Sequence, residues 1–276
     1  SCMLRQTPRI LYKPVGSHKN RTMKNTLIIL IIGLFSMTIG CRQSNSKIVN
    51  KPMSIQDGIS VSTLIDVGMQ ESVINELIDS IKSGFYPNRH SLLIYKNDKL
   101  VSENYFTGQD YDWGRDIGIV KHSDTVLHDM RSVSKSIVSA CIGIAIAQGK
   151  IESVDQLIFD FFKDYEQFNN DGREKLTIKH FLTMASGLEW NEEVPYDNPL
   201  NSEIQMDESG DAIEFVLSRK LTVNPGTEWK YNGGTTEVLA AIIKRVTGMN
   251  VYEYSKKYIF EPMGITKSEW TNSTGT

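Results

Sequence analysis

The chain has 276 residues, 40% of them hydrophobic, and a formal net charge of −3. This length allows one domain with a substantial core, or two small ones. Lys and Arg are interspersed among Asp and Glu, so the sequence lacks the basic patch that nucleic-acid binding requires. We therefore expect no nucleic-acid partner.

The cysteine and histidine content predicts neither a disulfide framework nor a metal site. The three cysteines, Cys2, Cys41 and Cys141, are too scattered for either role. None of the five histidines forms an H-E-x-x-H pair, and we interpret His122 with His128 as a surface-loop pair and not as a ligand set. We expect no metal and no other cofactor.

The N-terminal residues resemble an export signal. Residues 23–40 start with Met-Lys-Asn and continue into an apolar run that ends at Gly40, which is typical of a signal peptide. Residues 38–41 read Thr-Ile-Gly-Cys and resemble a bacterial lipobox, which predicts lipidation of Cys41. An uncleaved transmembrane helix is the alternative, and both readings place the protein outside the cytoplasm. Residues 1–22 precede Met23 and are predicted to be an upstream extension.

The next residues divide into a linker and a folded domain. Residues 41–65 are mostly polar and aperiodic, which predicts a tether, and residues 66–276 are predicted to form one domain. Apolar residues at helical spacing predict a helix over 71–81. Strands are predicted over 91–95 and 100–105, joined by Asn97-Asp98 as a hairpin turn.

The second half of the domain is predicted to be mainly helical. Residues 132–148 are apolar on nearly every side and are followed by Gly149, which indicates a buried helix with a glycine cap. Further helices are predicted over 177–184, 211–217, 236–247 and 252–259. The pattern predicts an α/β or α+β domain, an antiparallel sheet flanked by helices plus a helical subdomain, with few strands to complete the sheet.

Ser132 and Lys135 match the pattern S-x-x-K, in which the two side chains lie one helical turn apart. Ser44 and Lys47 match it too, but only Ser132 begins an apolar helix, where backbone N–H groups can stabilise an oxyanion. The helix dipole and burial disfavour a charge on Lys135, and a neutral amine there could take the proton of Ser132. The alternative is that Ser132 caps the helix and Lys135 reaches into water.

A second polar segment, residues 229–234 (WKYNGG), follows Pro225-Gly226 and leads into a predicted helix. Tyr231 in this segment is a candidate proton shuttle beside Lys135. Taken alone, it is more typical of an aromatic residue packed under a loop.

Four blocks together resemble the serine beta-lactamase and penicillin-binding-protein superfamily, with class C-like beta-lactamases, DD-peptidases and esterases nearest in style. The blocks are residues 131–136 (RSVSKS), 180–188 (HFLTMASGL), 224–234 (NPGTEWKYNGG) and 242–265 (IIKRVTGMNVYEYSKKYIFEPMGI). The resemblance implies Ser132 as the nucleophile, Lys135 as its activating partner and Tyr231 as general acid and base. It also implies a beta-lactamase/transpeptidase-like fold.

Two departures from the family pattern affect the prediction. Asn232 follows the tyrosine directly, so Gly233 stands where the family commonly has a substrate-binding asparagine; both are candidate substrate-binding residues. Family members also continue into further sheet strands and a Lys/His-x-Gly strand, and we expect these strands to be missing here. The hypothesis is a serine hydrolase, lipid-anchored on the periplasmic or cell-surface side, that acts through an acyl-enzyme on an amide, ester, beta-lactam or cell-wall peptide. The alternative is a truncated, non-catalytic product that binds cell-wall peptide or a partner.

Overall fold

The computed structural model describes residues 51–55, 57–112 and 114–270. Residues 1–22, the predicted signal peptide and Cys41 lie outside the described residues. Among the helices that are described, none is both long enough and apolar enough to cross a bilayer.

A three-stranded sheet opens the domain. The first elements of the domain are the strands β1 (Ser60–Val61), β2 (Ser91–Lys96) and β3 (Lys99–Tyr105), with the helix α1 (Glu71–Lys82) between β1 and β2. The strand order is β1-β3-β2, with β2 antiparallel and β1 parallel to β3. Asn97 and Asp98 both have positive φ, which is the backbone a tight two-residue hairpin turn requires. The predicted helix and hairpin are thus confirmed.

The ordered domain begins earlier than residue 66. β1 pairs with β3, and Leu64 is buried with Val67 and Val101 in a small core under this sheet. The predicted tether, 41–65, therefore extends too far, because a short strand and one buried leucine leave little periodic signal in a polar stretch.

A second hairpin was not predicted. It consists of β4 (Thr107–Asp112) and β5 (Arg115–Lys121), which pair antiparallel. β4 reads TGQDYD, a composition depleted in the residues that favour strands, so the cross-strand hydrogen bonds and not local propensity hold it extended.

The remaining residues form the helical part. Its helices are α2 (Ser134–Ala147), α3 (Ile178–Leu182), α4 (Ser202–Glu208), α5 (Ala212–Leu217), α6 (Gly233–Thr247) and α7 (Val251–Ser255), the last continuing as one π-helical turn, Lys256–Phe260. The predicted helices are present within a few residues of their expected bounds. The exception is α4, which was not predicted.

The main core lies where α2 and α6 pack together. Ile142 of α2 and Ile242 of α6 are both fully buried there, and each such side chain contributes about 1.5–3 kcal/mol through burial. Cys141 lies in the same core, and burial raises the pKa of its thiol to about 12, so this cysteine is unreactive. The packing fixes the N-terminal ends of α2 and α6 relative to each other.

Candidate active site

Ser132 lies in a short 3-10 turn, Arg131–Val133, that leads into α2. The residue before it, Arg131, has φ of 47°, a left-handed backbone that non-glycine residues adopt only at a cost. Asp129 stabilises this conformation: its carboxylate accepts the backbone N–H of Arg131 at 3.1 Å and pairs with the guanidinium at 2.7 Å. The chain thus turns sharply just before Ser132.

The three predicted catalytic side chains meet at the hydroxyl of Ser132. The hydroxyl of Tyr231, 99 residues further along the chain, donates a hydrogen bond of 2.8 Å to Ser132 Oγ. Lys135 Nζ lies 3.5 Å from the same oxygen and 5.5 Å from the centre of the Tyr231 ring. One oxygen therefore has two proton-exchanging groups within reach, which is the arrangement that activates a nucleophilic serine.

Close packing holds the turn that carries Tyr231. Asn232 caps α6, since its Oδ1 accepts the backbone N–H of Thr235 at 3.1 Å. At Gly234, a Cβ atom would lie 2.5 Å from Val216 and 2.6 Å from the ring of Trp190, so only glycine fits against this wall. The start of α6, and with it Tyr231, is pressed against the core.

A buried pair of carboxyl groups lies behind the same turn. Glu192 accepts hydrogen bonds from Gly233 N and Trp190 Nε1, both at 2.6 Å. Burial alone would raise the pKa of Glu192, but its hydrogen bonds, including one from Glu203, lower it. For Glu203, burial and the neighbouring Glu192 raise the pKa to about 8, so Glu203 keeps its proton at neutral pH.

The two predicted substrate-binding residues are buried behind Tyr231. Asn232 is 1% exposed and caps the helix, while Gly233 leaves room for the carboxyl pair: a Cβ there would lie 2.9 Å from Glu203 Oε2. The structure gives both residues a supporting role, and their contact with substrate stays a prediction. Sequence reasoning missed Glu192 and Glu203, because no spacing pattern links them to the WKYNGG segment.

Ser132 and Lys135 line an open cavity of about 1450 Å³. Its wall combines apolar side chains such as Leu127 and Trp270 with acidic ones such as Glu237 and basic ones such as Lys244. Burial raises the pKa of Glu237, and the charge of Lys135 acts in the opposite direction. The cavity is large enough to receive an organic acyl group at Ser132.

A serine at the start of a buried helix, a lysine one turn later and a tyrosine from the turn before a second helix define a serine acyl-transfer site. The profile of the beta-lactamase family matches residues 90–274. The chain belongs to this family, and its fold is of the beta-lactamase/transpeptidase type.

Individual relatives share parts of the chain. It is 29% identical over 118 residues to the lovastatin esterase of Penicillium rubens, covering 40% of this chain and 28% of that protein. It is 27% identical over 144 residues to 6-aminohexanoate-dimer hydrolase of Paenarthrobacter ureafaciens, covering 48% and 35% respectively. The structure of the octameric penicillin-binding protein homologue from Pyrococcus abyssi matches with a TM-score of 0.55 and 21% identity, covering 74% of this chain and 45% of that one. This last likeness supports the fold alone.

The chain spans from 28% to 55% of the length of three curated relatives that it matches. The portion that matches the family profile includes Ser132, Lys135 and Tyr231, since all three lie between residues 90 and 274.

Proposed function

We propose that the protein is a serine hydrolase that cleaves esters or amides through an acyl-enzyme on Ser132. The single observation that supports this most strongly is the 2.8 Å hydrogen bond from Tyr231 to Ser132 Oγ, with Lys135 at 3.5 Å. A serine that served only as a helix cap would not need two such partners, one from its own helix and one from a distant turn.

In the proposed reaction, Ser132 Oγ forms a bond to the substrate carbonyl carbon while its proton passes to the neutral amine of Lys135, or to the Tyr231 oxygen after the phenol has given its own proton to that amine. The bond to the leaving alcohol or amine then breaks, and the leaving group takes that proton. A water molecule attacks the acyl-enzyme next, gives a proton back through the same side chains and releases the acid. Protons and charge balance over the two half-reactions, and no cofactor enters.

The substrate class follows from the cavity and from the relatives. The wall beside Ser132 carries apolar side chains together with acidic ones such as Glu237 and basic ones such as Lys244, so it suits an acyl compound with both apolar and polar parts. One relative is named as an esterase. Another is named as a hydrolase of the 6-aminohexanoate dimer, which is a dimer of an amino acid. We infer that this chain acts on small-molecule or peptide esters and amides, with beta-lactams and cell-wall peptides as members of the same chemical class.

The test is a comparison of Ser132→Ala with Ser136→Ala. Ser136 lies one helical turn further along α2, is exposed and has no part in the site, so it is a matched serine control. We expect Ser132→Ala to abolish hydrolysis of a p-nitrophenyl ester, and to abolish the mass increase from a slowly released acyl donor. Ser136→Ala should behave as the wild type. Equal rates for Ser132→Ala and the wild type would reject the proposal, and binding of peptide without acylation would favour the non-catalytic alternative.

We also propose that the mature protein is lipid-anchored outside the cytoplasm of a bacterium. The support is the sequence alone: an apolar run followed by Thr-Ile-Gly-Cys at 38–41. Expression in a bacterium with labelled fatty acid should label the protein, and Cys41→Ser should remove the label. Persistence of the label in Cys41→Ser would rule out this anchor.

A further inference from the structure

Three histidines and one aspartate converge beside the second hairpin, at the edge of the Ser132 cavity, which Asp110 and His128 help to line. His90 directly precedes β2, Asp110 lies in β4, His122 directly follows β5, and His128 lies in the loop that leads to Ser132. One nitrogen or oxygen atom from each of the four side chains lies within 4.8 Å of all the others. The interpretation of His122 and His128 as a surface-loop pair therefore does not fit their placement.

Among the four residues, His122 gives the strongest evidence for a bound ligand. Its side chain is only 4% exposed, and among the described residues its Nε2 atom has no hydrogen-bond partner. This nitrogen points into the cluster, 3.5 Å from Asp110 Oδ2. A buried polar atom left without a partner costs about 1–3 kcal/mol, so its position calls for a ligand.

Backbone carbonyls orient the rings of His90 and His128. His90 Nε2 lies 3.1 Å from the carbonyl oxygen of Gln109, and His128 Nδ1 lies 3.2 Å from that of Asp129. A carbonyl oxygen only accepts, so these two nitrogens donate. In neutral rings the opposite nitrogens, His90 Nδ1 and His128 Nε2, then carry lone pairs. This second contact to a carbonyl is what metal-binding histidines usually make.

Those two lone-pair nitrogens lie 2.6 Å apart. Two lone pairs at this distance repel each other unless a cation lies between or beside them, either a shared proton or a metal ion. Asp110 Oδ1 lies 3.8 Å from the first nitrogen and 3.9 Å from the second, and supplies a negative charge to the same point.

The spacing fits a tetrahedral metal ion. Zinc binds imidazole nitrogen at about 2.0–2.1 Å, which places tetrahedral ligand atoms roughly 3.4 Å from one another. The distances from the Asp110 oxygens to the three nitrogens are 3.5, 3.8 and 3.9 Å. The 2.6 Å pair of His90 and His128 has to open, and His128 has room to move because its side chain is 42% exposed.

We propose that His90, Asp110, His122 and His128 bind one divalent transition-metal ion, with Zn²⁺ as the best match to three imidazoles and one carboxylate. The site is structural, since all four protein ligands fill a tetrahedral shell. His128 lies four residues before Ser132, so the ion would join the second hairpin to the segment that carries Ser132. It takes no part in the acyl-transfer steps.

The test uses the full chain, stripped of metal with a chelator and then titrated with Co²⁺ and Zn²⁺. We expect one ion per chain, a visible Co²⁺ spectrum of four-coordinate type, and a melting temperature that rises with the free Zn²⁺ concentration. Asp110→Asn, which preserves shape, and His128→Ala, at a half-exposed position, should each weaken binding by at least about a hundredfold. His180→Ala removes an imidazole outside the cluster and should bind as the wild type does.

Several results would overturn the proposal. The absence of stoichiometric binding would mean that a proton alone bridges His90 and His128. Equal affinity in Asp110→Asn, His128→Ala and the wild type would place the ion elsewhere, and a thiolate band in the Co²⁺ spectrum would point to cysteine ligands instead. If a variant fails to fold, the stoichiometry and the Co²⁺ spectrum of the wild type decide by themselves.

Discussion

Tyr231→Phe removes one oxygen atom from the site and leaves the ring in place. That oxygen donates the 2.8 Å hydrogen bond to Ser132 Oγ, whereas the aromatic ring keeps its position 5.5 Å from Lys135 Nζ. The change therefore separates proton transfer from packing. Lys135 remains within 3.5 Å of the serine oxygen, so acylation is slowed but not abolished.

The magnitude follows from the role of the hydroxyl. Loss of a positioned general acid or base slows a reaction by about 10²–10⁴-fold, and each factor of ten corresponds to about 1.36 kcal/mol of activation free energy. The cost to folding is much smaller, since one hydrogen bond of this kind contributes about 1 kcal/mol net. We expect kcat/KM for a p-nitrophenyl ester to fall by at least a hundredfold while the free energy of unfolding changes little.

Tyr252→Phe provides the matched control. Its hydroxyl donates a hydrogen bond of 2.7 Å to the carbonyl oxygen of Ser268, a bond of similar length. Both variants should lose similar stability in urea denaturation, and only Tyr231→Phe should lose activity. If Tyr231→Phe kept a rate within about threefold of the wild type, or if both variants lost activity equally, the assignment of Tyr231 as a proton-transfer group would be wrong.

Two further predictions concern the turn that carries Tyr231. Gly234→Ala places a Cβ atom 2.5 Å from Val216 and should destabilise the fold by about 1–3 kcal/mol in urea denaturation. The control is Gly143→Ala, whose Cβ atom meets nothing within 4 Å and which should stabilise α2 by about 0.4–1 kcal/mol. Equal effects of the two substitutions would refute the packing argument. Glu203→Gln should flatten the pH dependence of stability. In the folded wild type the Glu203 carboxyl group has a pKa of about 8, compared with its ordinary pKa of 4.5. The free energy of unfolding of the wild type therefore falls as the pH rises between these two values. Denaturation from pH 5 to 8 checks this, with exposed Glu193→Gln as the control; a Glu203→Gln curve parallel to that of the wild type would contradict the raised pKa.

The elements predicted correctly are those whose determinants are local. The hairpin turn at Asn97-Asp98 needs residues that tolerate positive φ, and α2 is apolar over four turns, so both are visible in short windows. The proximity of Ser132, Lys135 and Tyr231 was predicted because the first two lie one helical turn apart and because Tyr231 lies in a block that resembles a family motif; their catalytic roles stay a prediction.

The features that were missed depend on distant pairing. β4 is polar and is extended only because β5 pairs with it, and no residue in TGQDYD indicates that partner. Hydrogen bonds lower the pKa of Glu192, and burial and Glu192 raise the pKa of Glu203, and these surroundings exist only once the chain has folded. The histidine cluster draws on side chains from four separate stretches of the chain, at spacings that no metal-binding motif contains.

The packing of α2 against α6 sets the distance between the hydroxyls of Ser132 and Tyr231. Ser132 lies just before the first residue of α2, and Tyr231 lies just before the first residue of α6. Interior side chains such as Ile142 and Ile242 should therefore influence the proposed reaction, although they lie in the core and not beside Ser132. On heating, the packing between α2 and α6 should loosen, and activity should be lost while the helices themselves remain folded. Loss of turnover should then accompany the decay of the near-ultraviolet circular dichroism of the aromatic side chains and precede the far-ultraviolet transition. Catalytic activity would then report sensitively on how well the side chains of the core are packed.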